Sequence, residues 1–374
     1  MKYLNIVVFV VALSLLVGVV YYFSNRYALF VSSISLKTWI WGFGTSLVIV
    51  ILCINVFSNT AHPIGKAIYI FGGITLSLFL FMLLSVALTD LFNLIFKFTP
   101  QIRGFISTGL AVLLTVYGIW NAHQIRVKEI TIPIKGLTHE IRAVHITDVH
   151  LGNFWGKRQV DKIVRKIKDI NPDVVFNTGD MFYYGKESFD KNKDVLSAFL
   201  MLDVPHYFVY GNHDEQIGVQ EVVKQMKDVN AIVLLNEIAY FRELQIIGLE
   251  NMRQDENTFS PHAKSGAETI KSVMAKLPIE KNRPTIVLHH RPEGIEYMQE
   301  KGVGLLLAGH THAGQAFPFT LISKLMYKYN SGLYKYKTMN IYVSEGIGTM
   351  FLPVRLGTSS EIAVIRLVPV PPNL

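Results

Sequence analysis

The sequence predicts an α/β fold preceded by a transmembrane helical region, and three observations carry that prediction. Half of the 374 residues are hydrophobic and only 17% are charged, a combination rare in a soluble domain. Long apolar runs crowd the first third of the chain. From about residue 124 onward, short apolar strands alternate with amphipathic helices and polar loops, the texture of packed sheets covered by helices. The expected division is therefore 1–123, a transmembrane region with about four helices, and 124–374, a second domain.

The runs 4–23, 39–57, 67–88 and 104–120 contain no Asp, Glu, Lys, Arg or His. Each approaches the ~20 residues a helix needs to cross a ~30 Å hydrocarbon core, the last being the shortest. Backbone groups in lipid must be satisfied internally, so the runs should be helices. Tyr21, Tyr22, Trp39, Trp41 and Trp120 lie near their ends, where interfacial aromatics belong. The first run ends in Ser24-Asn25-Arg26-Tyr27 rather than a small-x-small cleavage site, so it reads as an uncleaved helix. Gly42, Gly44, Gly72 and Gly73 permit close helix packing.

Four spans place both termini on one side. Lys2, Lys66, Arg126, Lys128 and Lys135 fall on that side, and Arg26, Lys37, Lys97 and Arg103 on the other. This small excess leans toward a multi-pass plasma (inner) membrane protein with its second domain in the cytoplasm. The formal net charge of +8 favours anionic partners such as acidic lipids, phosphorylated substrates or nucleic acid. The single cysteine, Cys53, lies in an apolar run. It excludes an intramolecular disulfide framework and a thiolate metal site.

In the second domain, 140–146 reads as a strand, and 159–170 as a helix with Val160, Ile163, Val164 and Ile167 on one face. After the breaker Asn171-Pro172, 173–176 is a strand, and 207–210, 285–288, 304–308, 340–343 and 362–367 are further strands. Polar clusters follow several of them: Asp148-Val149-His150, Gly179-Asp180, Gly211-Asn212-His213-Asp214, His289-His290 and Gly309-His310-Thr311-His312. The carboxyl ends of strands are where open α/β sheets place ligands. Carboxylates and neutral imidazoles bind Mn, Fe, Zn and similar divalent ions. A lone histidine reads as a satisfied core residue, but five ordered clusters read as one metal centre.

That order of D-x-H, GD, GNHD, H and GHxH resembles the calcineurin-like metallophosphoesterases, over roughly residues 128–368. The longer forms "ITDVHLG", "NTGD", "VYGNHD", "LAGHTHAGQ" and "YVSEGIGTMFLPVRLGTSSEIAVIRL" resemble the branch with membrane or secreted members. Two departures stand out: His289 precedes the expected histidine, and Ser360 precedes Glu361 where proline is more usual. The resemblance implies a four-layer αββα sandwich and two divalent ions, Mn, Fe or Zn. It assigns one ion to Asp148, His150, Asp180 and His312, and the other to Asp180, Asn212, His290 and His310, with Asp180 bridging. It makes His213 the general acid, oriented by Asp214. His290 is preferred to His289 because it stands two before Pro292, as in the family.

The implied reaction is hydrolysis of a phosphate mono- or diester by a metal-bridging hydroxide, since two ions can clamp the attacking and leaving oxygens of an in-line displacement. The membrane region makes a lipid-linked phosphate the attractive substrate, with membrane lipids as partners. A nuclease of the same superfamily is the alternative within hydrolases, although the spans argue against nucleic acid as a partner. A transporter or sensor with a regulatory phosphoesterase module is the alternative outside them, although the apolar runs lack the intramembrane charges that transport paths use.

Other residues are read more plainly. His145 is a strand residue, and His206 and His262 are structural or surface. Tyr183 resembles the ferric-iron tyrosine of purple acid phosphatases, but His150 fills the position which that family leaves without a histidine, so Tyr183 is a loop aromatic. Lys324, Lys328, Lys335 and Lys337 alternate with Tyr327, Tyr329, Tyr334 and Tyr336, either as a solvated loop or in contact with lipid headgroups or substrate phosphate. Arg355 is a bidentate phosphate ligand or a surface ion pair. Substrate specificity is expected in 248–264 and 317–337.

Overall fold

The computed structural model describes residues 2–183, 185–258 and 268–370, with side chains from residue 14 onward. His262 and part of the 248–264 segment lie outside the described residues. The chain divides into two compact units, one of Met1–Ser58, His62–Trp120 and Phe351–Val354, the other of Asn59–Ala61, Asn121–Met350 and Arg355–Leu374.

The first unit consists mainly of four helices, α1 (Lys2–Phe30), α2 (Leu36–Val56), α3 (Pro63–Phe96) and α4 (Pro100–Ala122). α1, α3 and α4 each contain one of the apolar runs and extend it at both ends, and α2 begins ahead of its run and stops at Val56, one residue before the run ends. α2, α3 and α4 are long and apolar enough to cross a membrane. α2 begins where the Ser35 hydroxyl accepts the amide of Thr38. Pro63 opens α3 at a position where a missing N–H costs nothing. Phe23 of α1 stacks on Phe43 of α2 with ring centroids 4.1 Å apart. Phe43 in turn meets Phe79 of α3 edge-on at 5.0 Å.

At Gly72 of α3, a Cβ would stand only 2.9 Å from Ile54 of α2, so the absent side chain sets how closely those helices approach. Because α3 runs past the apolar stretch, it includes Asp90. That carboxylate lies 2.6 Å from Arg26 Nε of α1 and 3.0 Å from Arg103 Nη1 of α4. One acid thus compensates two arginines from different helices, the arrangement charges need near hydrocarbon.

The second unit opens with β1 (Ile125–Ile134), β2 (Ile141–Ile146), α5 (Lys157–Ile170), β3 (Val174–Asn177) and α6 (Lys186–Asn192). It continues with β4 (His206–Phe208), α7 (Asn212–Ile217), α8 (Val219–Asp228), β5 (Ala231–Val233), β6 (Glu237–Phe241) and β7 (Leu244–Gly248). Then follow α9 (Ile270–Lys276), β8 (Thr285–Leu288), α10 (Ile295–Glu300), β9 (Leu305–Ala308) and α11 (Phe319–Met326), and finally β10 (Gly332–Tyr336), β11 (Met339–Val343) and β12 (Ser360–Pro369).

The strands form two mixed sheets, in the orders β1-β12-β2-β3-β4-β5 and β10-β11-β9-β8-β7-β6. Ala143, Phe176, Leu288, Leu307 and Ile365 belong to one apolar layer drawn from both sheets. The alternate residues Val144, Ile146 and Val175 share a second core with Val160, Ile163, Val164 and Ile167 of α5. Val287 and Leu306 share a third with Ile270 and Met274 of α9 and Met298 of α10. A period-2 strand buried on both faces can serve two cores at once. The result is helices over sheet over sheet over helices, the αββα sandwich.

The 317–337 segment departs from the expected loop, because it forms α11 and the strand β10, which pairs antiparallel with β11.

Candidate metal centre

β2, β3 and β4 run parallel to one another in the first sheet, and β8 and β9 do so in the second. The residues just past their carboxyl ends are Asp148 and His150, Asp180, Asn212 and His213, His290, and His310 and His312. The structure brings these together. One donor atom each from Asp148, His150 and His312 lies within 4.8 Å of the others, and the same holds for Asp148, Asp180 and His290, and for His150, Asp180 and His213. His290 Nε2 is 3.1 Å from Asp180 Oδ2, and His310 Nδ1 is 3.3 Å from His290 Nε2. The His310 amide donates to Asp148 Oδ2 at 3.0 Å, and the His213 amide to Asp180 Oδ1 at 2.9 Å.

The backbone is bent hard to achieve this. Asp148, His150, Asp180, His310 and His312 all have φ between 49° and 72°, a region that costs a non-glycine residue about 1 kcal/mol or more. Such strain persists where surrounding structure enforces it, and it clusters at functional sites. The motif glycines make room for the carboxylates. A Cβ on Gly211 would lie 2.1 Å from Asp180 Oδ1, and one on Gly309 would lie 2.2 Å from Asp148 Oδ2.

The ring nitrogens are oriented by their partners. His290 Nδ1 faces the Thr178 carbonyl at 2.8 Å, so it carries the proton and leaves Nε2 toward Asp180. His289 instead has Nδ1 on the Arg291 carbonyl at 2.6 Å. It is absent from the donor groups, and its ring is fully buried beside them. His213 Nδ1 meets the Tyr183 carbonyl.

The role implied for Asp214 needs correction. Among the described residues its carboxylate makes no hydrogen bond to the His213 ring; it accepts the amides of Met181, Phe182 and Gly211 at 3.1 to 3.3 Å. It therefore fastens the loop carrying Asp180 to the turn carrying Asn212.

Tyr183 is more than a loop aromatic. Its ring lies nearly parallel to that of His213, 5.5 Å away, and edge-on to His150 at 5.7 Å. Arg355 is neither a phosphate ligand nor a surface pair. It is fully buried, and its Nη2 donates to the carbonyls of Glu345, Gly346 and Gly348 at 2.7 to 3.0 Å. The Gly348 amide then donates to the Asp148 carbonyl at 2.7 Å. His145 and His206 sit in β2 and β4, both buried.

Electrostatically, burial opposes charge throughout the site, and opposite charges overcome it at Asp148, Asp180 and His290 but not at His150 or Asp214. Burial pushes the Asp148 carboxyl up, but the imidazoles of His312 and His150 outweigh it and hold the group well below its ordinary value. Burial pushes His290 down, and Asp180 outweighs it, raising the imidazole to about 9. His150, for which burial dominates, falls to about 4. Burial and the charge of Asp180 lift Asp214 to about 7 against the main-chain amides it accepts.

This donor set fits divalent ions. It is all carboxylate, amide oxygen and imidazole, the chemistry of hard to borderline metals. Asn212 Oδ1 is buried with no hydrogen-bond partner among the described residues, a costly state that a cation relieves.

The sequence model of the calcineurin-like phosphoesterases matches residues 141–314. An uncharacterized metallophosphoesterase of Helicobacter pylori is 32% identical over 278 residues, 72% of each chain. A transmembrane protein with metallophosphoesterase domain from Danio rerio is 29% identical over 285 residues, covering 69% of this chain and 61% of its own length. The phosphodiesterase YaeI of Escherichia coli is 24% identical over 241 residues, covering 61% and 82%. Fold, site and relatives together define a metal-dependent hydrolase of phosphoric esters. The chain belongs to the calcineurin-like metallophosphoesterase family, whose members use a binuclear divalent metal centre. With three helices able to cross a bilayer and relatives named transmembrane proteins, it is also a membrane protein.

Proposed function

We propose that this protein is a multi-pass plasma-membrane phosphohydrolase that cleaves a lipid-linked phosphate ester at the membrane surface, with its catalytic unit on the cytoplasmic side. The observation that carries the reading is the convergence of six buried donors, Asp148, His150, Asp180, His213, His290 and His312, in a chain whose helices are long and apolar enough to cross a membrane. Asp148, His150, Asp180 and His312 would hold one divalent ion, and Asp180, Asn212, His290 and His310 the other. Such ions, when bound, supply Lewis acidity toward the phosphoryl group and toward water.

The remaining work falls to the chain. The neutral amide of Asn212 and the imidazoles keep the site less negative than an all-carboxylate one, which suits an anionic ester. His213 has Nδ1 committed to the Tyr183 carbonyl, so its Nε2 is the nitrogen that hands a proton to the leaving oxygen. Tyr183 keeps that ring in plane by stacking on it. Asp214 positions both loops and does not handle the proton.

The test uses the full chain in lipid nanodiscs, stripped by chelator and resupplied with manganese. Bis-p-nitrophenyl phosphate, p-nitrophenyl phosphate and phosphorylated lipids are offered separately. Metal-dependent turnover that prefers the lipid substrate and is lost in Asp180→Asn supports the reading. Turnover of soluble esters with no advantage for lipid would remove the lipid-linked part. No turnover of any substrate by the metal-loaded protein would remove the activity.

A further inference from the structure

Helix α11 has its polarity reversed. Its buried side chain is Ser323, which donates to the Asn330 side chain. Its apolar residues face outward: Leu325 is 89% exposed, Met326 70% and Leu321 52%, with Phe319 and Ile322 also exposed. In α5, by contrast, Val160, Ile163, Val164 and Ile167 are all buried and the charges face out, the usual pattern for a helix against water. Leu333 of β10 adds a further exposed apolar side chain. A contiguous outward apolar face of this kind marks an interaction surface.

The chemistry around the face selects its occupant. Residues 317–339 hold four lysines, four tyrosines and no acidic residue. Lys324, Lys328, Lys335 and Lys337 are all exposed. Lys328 and Lys337 lie over the ring of Tyr336, 5.8 and 5.4 Å from its centroid. Outward leucines and phenylalanine bordered by lysine and tyrosine match a helix lying in the headgroup boundary of an anionic bilayer. Asp255, Glu293 and Glu296 share a pocket with Lys328, but no acid lies within 317–339 itself, so the lysines beside the apolar face suit anionic headgroups better than a protein surface of ordinary composition.

We propose that α11, with the β10 edge beside it, is an interfacial membrane-docking element that inserts its apolar face into an anionic lipid surface. The element is tied to the metal centre. The Thr311 hydroxyl donates to the Asn330 carbonyl, and the Tyr327 hydroxyl lies 3.4 Å from His310 Nε2. Docking there presents the centre to headgroup phosphates. The inference extends the functional reading above, but its test reads depth in lipid rather than turnover, so the two can fail separately.

The full chain, with Cys53→Ser to remove the native thiol, carries Leu325→Cys labelled with an environment-sensitive fluorophore, in vesicles containing phosphatidylglycerol and doxyl-labelled phosphatidylcholine. The same label at Lys224→Cys on the exposed side of α8 is the reference. The expected result is a blue-shifted emission quenched several-fold more strongly than at the reference, weakening when the anionic lipid is replaced by neutral lipid or when Lys324, Lys328, Lys335 and Lys337 are changed to glutamine. Quenching equal to the reference overturns the proposal. So does shielding that persists in detergent and is accompanied by disulfide cross-linking of unlabelled Leu325→Cys chains, which would make the face a contact between copies.

Discussion

Nε2 of His150 and Nε2 of His312 stand 2.9 Å apart, with both rings buried. Two ring nitrogens that close need a proton or a cation to keep their lone pairs from opposing each other.

A divalent ion is the better solution, because it also satisfies Asp148 and adds its binding free energy to folding. Metal at 100 times its dissociation constant should stabilise the catalytic unit by roughly 2.7 kcal/mol. Thermal unfolding of the full chain in nanodiscs, with and without chelator, measures this. The metal-dependent rise in Tm should shrink sharply in His312→Ala, and an identical Tm in chelator and in manganese would contradict the assignment.

His213 and Asp214 are adjacent but do different work, and leaving-group chemistry separates them. A general acid matters most when the departing oxygen is basic. His213→Ala should therefore cost about 10²-fold or more with an alkyl phosphate and much less with a p-nitrophenyl ester. Asp214→Asn removes part of a support for three amides, so it should slow both substrates alike by about 10–100-fold. A leaving-group dependence in Asp214→Asn equal to that of His213→Ala would return Asp214 to the proton path.

Arg355 acts on the centre through the backbone and through His312, whose Nδ1 lies 3.4 Å from Arg355 Nη2. Arg355→Met leaves the carbonyls of Glu345, Gly346 and Gly348 without this donor, and each buried orphan costs about 1–3 kcal/mol. The expected outcome is a clear fall in Tm together with a loss of metal affinity of about 10–100-fold, through the Gly348 contact to Asp148 and the lost contact to His312. Metal titration followed by inductively coupled plasma analysis checks it. Unchanged affinity would confine Arg355 to stability alone.

His206 gives the catalytic unit an acid sensitivity unrelated to catalysis. Burial pushes its imidazole from 6.5 down to about 4. Above the upper value the ring is neutral whether the chain is folded or unfolded. As pH falls below it, the unfolded chain binds a proton that the folded chain refuses until about pH 4, so stability is lost across that window. The slope contributed is at most about 1.4 kcal/mol per pH unit. His206→Phe keeps the stacking with Phe199, whose ring lies 5.3 Å away, and should show a shallower fall of Tm between pH 6.5 and 4 than the parent protein.

Much of the centre was legible in the sequence because its chemistry is carried by residue type and local spacing. Asp148, Asp180, His290 and His310 each follow a buried apolar strand, and such strands announce themselves by composition. The apolar helices were legible for the same reason, although their ends were not: charged Asp90 ended the apolar run, while the helix continued through it because Arg26 and Arg103 neutralise it. β1 was harder to see, since Arg126, Lys128 and Glu129 are exposed on an edge strand and blur its alternation. Arg355, Asp214 and the Tyr183 carbonyl were read wrongly or not at all. Their roles are contacts with main-chain atoms or contacts made across the fold, and nothing in a side chain's identity reports which backbone carbonyl or amide it will meet. The outward face of α11 was hidden because a period-3.6 pattern shows that a helix has a face but not which way the face points.

The position of β12 bears on how the protein is made. It lies between β1 and β2, pairing parallel with one and antiparallel with the other. During synthesis, the first sheet must therefore stand with a gap until residues 360–369 emerge, long after α1 to α4 have left the ribosome. Every proposed metal ligand is made before the strand that joins β1 to the rest of its sheet, and that sheet closes only when β12 is added.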